Sequence, residues 1–259
     1  MRPRIGIPMP HSTDREYGER AIPQYERAVE LAGGEPVRIA LDLPQAEVVK
    51  AIERCDGVLL PGSNADVEPA RFHAARSSHT AAADLRREAV DDLLLKDAYD
   101  RRKPVLGICY GLQSLNVFRA GSLIQHIPDF LPEETRGKVN HEAGKKVAIA
   151  HTVDVDPASM LARILAQSSG AKNRKPEAGS PLVVPVNSSH HQSADAAGRG
   201  LRIVARCPDD GIIEALEGTS PDHFVLAVQW HPERSVDDDE PSRAIFRKLV
   251  TAAASWRRE

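Results

Sequence analysis

The chain has 259 residues, 41 % hydrophobic and 27 % charged, with a formal net charge of −3. That length buries a sizeable core within one α/β domain, here taken as residues 1–259. The mixed charge, with no basic stripe and no run of 18 apolar residues, excludes a nucleic-acid surface and a membrane span. Three cysteines (Cys55, Cys109 and Cys207) are too few for a disulfide framework. The N-terminus lacks a secretion signal, so a reducing cytoplasm is expected, where a free thiol survives.

In chain order, Ile5 to Pro8 reads as a strand, and Pro23 to Ala32 as a helix ended by Gly33-Gly34. Pro36 to Ala40 is the next strand and Gln45 to Arg54 the next helix. Gly57 to Leu60 is a buried strand stopped by Pro61-Gly62. The segment from Ser63 to about Ala83 is long for a connection, and such loops often border active sites. Asp84 to Arg101 forms a strong amphipathic helix, Pro104 to Ile108 a strand, and Gly111 to Ala120 a helix. This alternation predicts a three-layer α/β fold: a mostly parallel sheet with helices on both faces.

Beyond Ala120 the pattern changes. Lys145 to Val155, Leu182 to Asn187, Arg202 to Cys207, Ile212 to Glu217 and Phe224 to Gln229 read as strands joined largely by turns, which predicts antiparallel additions to the sheet. Ser159 to Ala166 reads as a helix, Gly170 to Ser180 as an exposed polar loop, and Ser242 to Trp256 as a closing amphipathic helix.

Cys109 lies in Gly107-Ile-Cys-Tyr-Gly111, where a strand runs directly into a helix. That is the layout of a nucleophile elbow, whose flanking glycines let backbone approach a sharply bent residue. The helix that follows turns free N–H groups and a positive dipole end toward the sulfur, which favours thiolate. The Tyr110 N–H is placed to donate to an oxyanion. A small buried core cysteine fits the short motif equally well, and Cys55 and Cys207 are read that way.

A thiol nucleophile wants a base, and the base an orienting group. Among ten histidines, His231 has the best context: an apolar strand from Phe224 ends there, Pro232 stiffens the exit, and Glu233 can turn back to the second ring nitrogen. His190-His191 lacks a third ligand at helical or Cys-x-x-Cys spacing, so no metal is expected. His11, His73, His79 and His223 sit in polar stretches and read as solvated, whereas His126, His141 and His151 read as structural.

Four blocks together resemble the class I glutamine amidotransferase-like superfamily: Asp56 to Ser63, Gly107 to Gln113, Val186-Asn-Ser-Ser-His-His-Gln192 and Ala227-Val-Gln-Trp-His-Pro-Glu233. Within it, the third block and Asp210-Gly-Ile-Ile-Glu-Ala-Leu-Glu217 are most similar to the gamma-glutamyl-gamma-aminobutyrate hydrolase family, peptidase family C26. The resemblance implies a Cys109–His231–Glu233 triad and an oxyanion hole from the backbone N–H groups of Gly62 and Tyr110. It also implies glutamyl contacts from Gln113 and from the Ser188-Ser189-His190 backbone. The implied reaction cleaves a gamma-glutamyl amide of a small molecule through a thioester, with no metal or organic cofactor. Two rivals remain at this point: a glutaminase subunit supplying ammonia to a partner synthase, and a binding protein of the same fold without chemistry. A homodimer is the default assembly. Ser63 stands where many relatives carry a second glycine, so the oxyanion loop is expected to differ in detail.

Overall fold

Alternating side-chain direction is what splits the core in two. In the computed structural model, which describes residues 1–168 and 179–256, Leu59 packs into one apolar cluster while its neighbours Val58 and Leu60 pack into the other. The central strands Gly57–Leu60, Val105–Ile108 and Val225–Val228 are therefore buried on both faces, as near-continuous Val, Ile and Leu runs require, while the edge strands Glu35–Ile39 and Leu182–Val186 are partly exposed.

The elements follow in order: β1 (Arg4–Pro8), α1 (Arg15–Leu31), β2 (Glu35–Ile39), α2 (Gln45–Glu53), β3 (Gly57–Leu60), α3 (Leu85–Arg101), β4 (Val105–Ile108) and α4 (Tyr110–Phe118). Then come β5 (Leu123–Ile124), α5 (Ile127–Phe130), β6 (His151–Val155), α6 (Met160–Ser168), β7 (Leu182–Val186) and β8 (Ser193–Ala194). The chain continues with β9 (Leu201–Arg206), β10 (Ile213–Gly218), β11 (Val225–Val228) and α7 (Glu240–Ser255). The main sheet has the order β2-β1-β3-β4-β11-β10-β9-β6-β7. Pairing is parallel from β2 to β11 and antiparallel from β11 to β7. Helices α1 and α7 supply Ile22, Tyr25, Val29, Ile245, Phe246 and Leu249 to one face. Helices α2, α3 and α4 supply Ile52, Leu94, Ala98, Leu112 and Leu115 to the other. The predicted fold class therefore stands. Among the described residues, no helix is long and apolar enough to cross a membrane.

Three boundaries differ from expectation. Helix α1 begins eight residues before Pro23, because Asp14 caps it by accepting from the Tyr17 N–H at 3.0 Å, and Pro23 lies inside the helix. Only His151–Val155 of the expected strand from Lys145 is extended; Ala143–Lys145 is a 3₁₀ turn, and Val147 and Ile149 are exposed. The short pair β5–β8 carries no alternating pattern and was not anticipated. The expected loop Gly170 to Ser180 lies almost entirely outside the described residues.

Candidate active site

Strand β4 ends at Ile108 and α4 begins at Tyr110, leaving a single residue to make the turn. That residue, Cys109, has φ 53° and ψ −107°, a left-handed conformation that L side chains rarely adopt and that costs about 1–3 kcal/mol. The backbone on both sides holds it there. Cys109 N–H donates to Val228 O on β11 at 2.9 Å. A Cβ on Gly111 would lie 2.2 Å from Leu60 O, and one on Gly107 would lie 2.8 Å from Gly111 O. Both glycines are thus required by close approach, as an elbow demands. The Tyr110 N–H lies in the first turn of α4 and has no acceptor within its own helix.

β11 lies parallel to β4 in register Val228 to Ile108, so His231, just past its end, arrives beside the elbow. Its Nδ1 is 2.7 Å from Glu233 Oε1, and both side chains are buried. Burial alone would push the His231 imidazolium down. The Glu233 carboxylate, and Cys109 on the other side of the ring, outweigh it and raise His231 from 6.5 to about 9. Glu233 in turn is held below the usual carboxylate range: burial opposes this, but His231 overrides it. A Cβ on Gly62 would meet His231 Cε1 at 3.1 Å and Cys109 Cβ at 3.7 Å, so Gly62, Cys109 and His231 are immediate neighbours.

The Gly62 N–H donates to Tyr25 Oη at 3.0 Å. Of the two expected oxyanion donors, therefore, Tyr110 is unengaged within its helix and Gly62 is already engaged. Ser63, in place of a second glycine, accepts from Ala65 N–H through its hydroxyl at 3.1 Å.

A cleft of about 650 Å³ opens over Cys109 and His231. Gln113, Ser189 and His190 line it; Ser188 is fully buried and does not. Gln113 spends its amide on Gln192 O at 3.2 Å, and the His190 N–H donates to His141 O at 3.0 Å. Those donors therefore brace the turn after β7, and only Ser189 of that backbone run stays uncommitted at the cleft wall. The loop after β3 contributes Asn64, Ala65, Asp66 and His79. Cations Arg20, Lys145 and Arg234 line the same cleft as carboxylates Asp66 and Glu142.

Two residues with no role assigned from sequence hold this geometry. Asn187 donates from Nδ2 to His231 O at 2.8 Å and accepts the His231 N–H at 2.9 Å, so one side chain clamps the histidine backbone. Arg87, fully buried on α3, donates to Pro61 O at 2.7 Å, Pro10 O at 3.1 Å and Asp91 Oδ1 at 2.7 Å. Its guanidinium lies 4.9 Å from the Tyr110 ring centre. Asn187 was visible as part of a motif; Arg87 carried no signal beyond a charge in an amphipathic helix.

The histidine assignments need two corrections. His223 is buried, its Nε2 2.7 Å from Lys103 O just before β4 and its ring edge-on to Tyr99, although the residues Thr219 to Asp222 before it stay exposed. His190 does acquire partners with ligand chemistry, but they come from distant strands and not from local spacing.

Known proteins similar to the whole chain identify its family. The chain is 30 % identical to a gamma-glutamyl-gamma-aminobutyrate hydrolase of Escherichia coli O157:H7, over 96 % of this chain and 93 % of that one. It is also 30 % identical to a glutamine amidotransferase-like protein, RP404, of Rickettsia prowazekii, over 88 % and 87 %. PurLQS of Thermotoga maritima shares the fold at 18 % identity, with a TM-score of 0.55 and coverage of 97 % of this chain and 99 % of that one. The peptidase C26 family model matches residues 3–233. The chain belongs to the peptidase C26 family and is a glutamine amidotransferase-like hydrolase.

Proposed function

We propose that this hydrolase cleaves the gamma-glutamyl amide bond of a small gamma-glutamyl amine, with Cys109, His231 and Glu233 as its catalytic residues. One observation carries the reading: Cys109 on a strained elbow beside an imidazole that a buried carboxylate keeps protonated near neutral pH. The cleft above has the charge balance for a glutamyl head, which bears one carboxylate and one ammonium: Arg20, Lys145 and Arg234 offer cations, Asp66 and Glu142 anions.

In the proposed cycle the Cys109 sulfur attacks the gamma-carbonyl carbon. The oxyanion is taken by the Tyr110 N–H, joined by Gly62 once its bond to Tyr25 gives way. The His231 imidazolium passes its proton to the amide nitrogen, the C–N bond breaks, and the free amine leaves a thioester. Neutral His231 then takes a proton from water. The water oxygen attacks the thioester, the C–S bond breaks, and glutamate and the Cys109 thiolate are released beside the imidazolium.

The test is a panel of gamma-glutamyl amides scored for glutamate release by the wild type and by Cys109→Ser. Release from gamma-glutamyl amines that Cys109→Ser abolishes supports the reading. Release confined to glutamine and raised by a partner synthase replaces it with the ammonia-supplying alternative. Rapid Cys109 alkylation without turnover on any member of the panel replaces it with a silent binding protein.

A further inference from the structure

A second group of histidines lies inside the molecule, apart from the catalytic set. His141 comes from the loop before the Ala143–Lys145 turn, His151 opens β6, His190 sits in the turn after β7, and Glu214 lies on β10. All four are buried, and each offers one ligand atom within 4.8 Å of the others. His141 Nδ1, His151 Nε2 and His190 Nε2 lie 3.1, 3.3 and 3.4 Å from the same oxygen, Glu214 Oε1. None of these contacts has the alignment of a hydrogen bond, and the three nitrogens and both Glu214 oxygens lack any hydrogen-bond partner.

The far nitrogens of the same rings are all satisfied. His141 Nε2 is 2.9 Å from Asp210 Oδ2, His151 Nδ1 is 2.9 Å from Thr152 O, and His190 Nδ1 is 2.9 Å from Gln192 O. Carbonyl and carboxylate oxygens only accept, so each far nitrogen carries the hydrogen. In its neutral form each ring then turns a lone pair toward Glu214. Acceptors facing one another in a buried space are costly unless a cation lies among them. Supplying it as protons would put up to three imidazoliums against one carboxylate oxygen in contacts that are not aligned for hydrogen bonding.

A metal ion fits better. A tetrahedron with ligand bonds of about 2.0–2.1 Å has edges of about 3.3 Å, and the nitrogen-to-oxygen separations here span 3.1 to 3.4 Å. Three imidazoles with one carboxylate suit zinc and its transition-metal neighbours, whereas magnesium and calcium prefer oxygen alone. Bonds from the far ring nitrogens to carboxylate or carbonyl oxygens are the support that metal-bound histidines ordinarily have.

We propose that His141, His151, His190 and Glu214 bind one divalent transition-metal ion as a closed structural site. The ion ties β6 and β10 to the turn after β7, the turn that begins with Asn187 and supplies Ser189 and His190 to the cleft wall. This departs from the expectation of no metal, and it stands independently of the substrate assigned above.

The experiment uses untagged protein carrying Cys109→Ser, so that the cleft thiol adds no ligand. The protein is stripped with a chelator and titrated with Zn(II) against a chromophoric competitor, then separately loaded with Co(II). The expected result is one tightly bound equivalent, a higher melting temperature, and the intense visible bands of tetrahedral Co(II). Adding His151→Gln or Glu214→Gln should weaken binding by at least about tenfold. If those variants fail to fold, the Co(II) spectrum of the parent protein decides alone. No bound equivalent, weak octahedral Co(II) bands, or unchanged affinity in a folded His151→Gln protein each overturns the proposal, the first leaving a cluster held by protons.

Discussion

The molecule buries imidazoles beside carboxylates in two places and arranges them in opposite ways. At the cleft, one imidazole meets one carboxylate through a 2.7 Å hydrogen bond, and its second nitrogen is left to face Cys109. In the interior, three imidazoles meet one carboxylate, every outer nitrogen is already bonded, and every inner one lacks a hydrogen-bond partner. The first arrangement leaves a nitrogen free for the proposed proton transfer; the second turns its three inner nitrogens to a common point. The same side chains thus suit proton transfer or cohesion according to where the second nitrogen is committed.

Breaking the cleft side should have the largest effect. Cys109→Ser is expected to lower kcat by about 10⁴-fold or more, with circular dichroism unchanged. Retained turnover would end the assignment of the nucleophile. Glu233→Gln comes next, with a loss of about 10²–10⁴-fold in kcat. It carries a pH signature as well. His231 is raised in the folded protein from 6.5 to about 9, so its contribution to stability is complete below 6.5 and is lost as pH rises through about 9. Urea unfolding across that window should show less of this decline in Glu233→Gln, and an unchanged slope would remove Glu233 as the cause.

The supports beneath the cleft should respond less. Arg87→Met leaves Asp91 buried without its partner and is expected to cost about 3–5 kcal/mol in chemical denaturation, since Asp91 is fully buried. Asn187→Ala removes two hydrogen bonds to the His231 backbone and should cost about 1–2 kcal/mol. It should lower kcat more than it raises KM, because Asn187 holds the backbone of the proposed base and does not line the cleft. A change confined to KM would argue that the clamp does not set the position of His231.

Legibility from sequence followed locality. The elbow was readable because Gly107, Cys109 and Gly111 act on one another within a single turn, and His231 and Glu233 because the pair is two residues apart. The first-half strands were readable because burial on both faces writes unbroken apolar runs. Helix α1 begins before the Pro23 that the sequence suggests, because a proline commonly opens a helix and here the Asp14 cap outranks it. The interior cluster is not legible in the sequence because its members lie on separate elements that only the antiparallel pairing of β10, β9, β6 and β7 brings together. Arg87 escaped because a charge at a helical position ordinarily means solvent, and nothing local says that Pro10 and Pro61 will present carbonyls to it.

The left-handed backbone at Cys109 has a consequence for descent. A residue kept at φ 53° against its own preference burdens every generation that retains it. Glycine at that position would be conformationally relaxed and chemically inert, so Cys109→Gly should yield a sturdier protein with no turnover. Lineages that no longer need the reaction have a downhill route to abandon it at a single codon. On the proposed chemistry, a cysteine kept at that corner is what continued selection for turnover would leave.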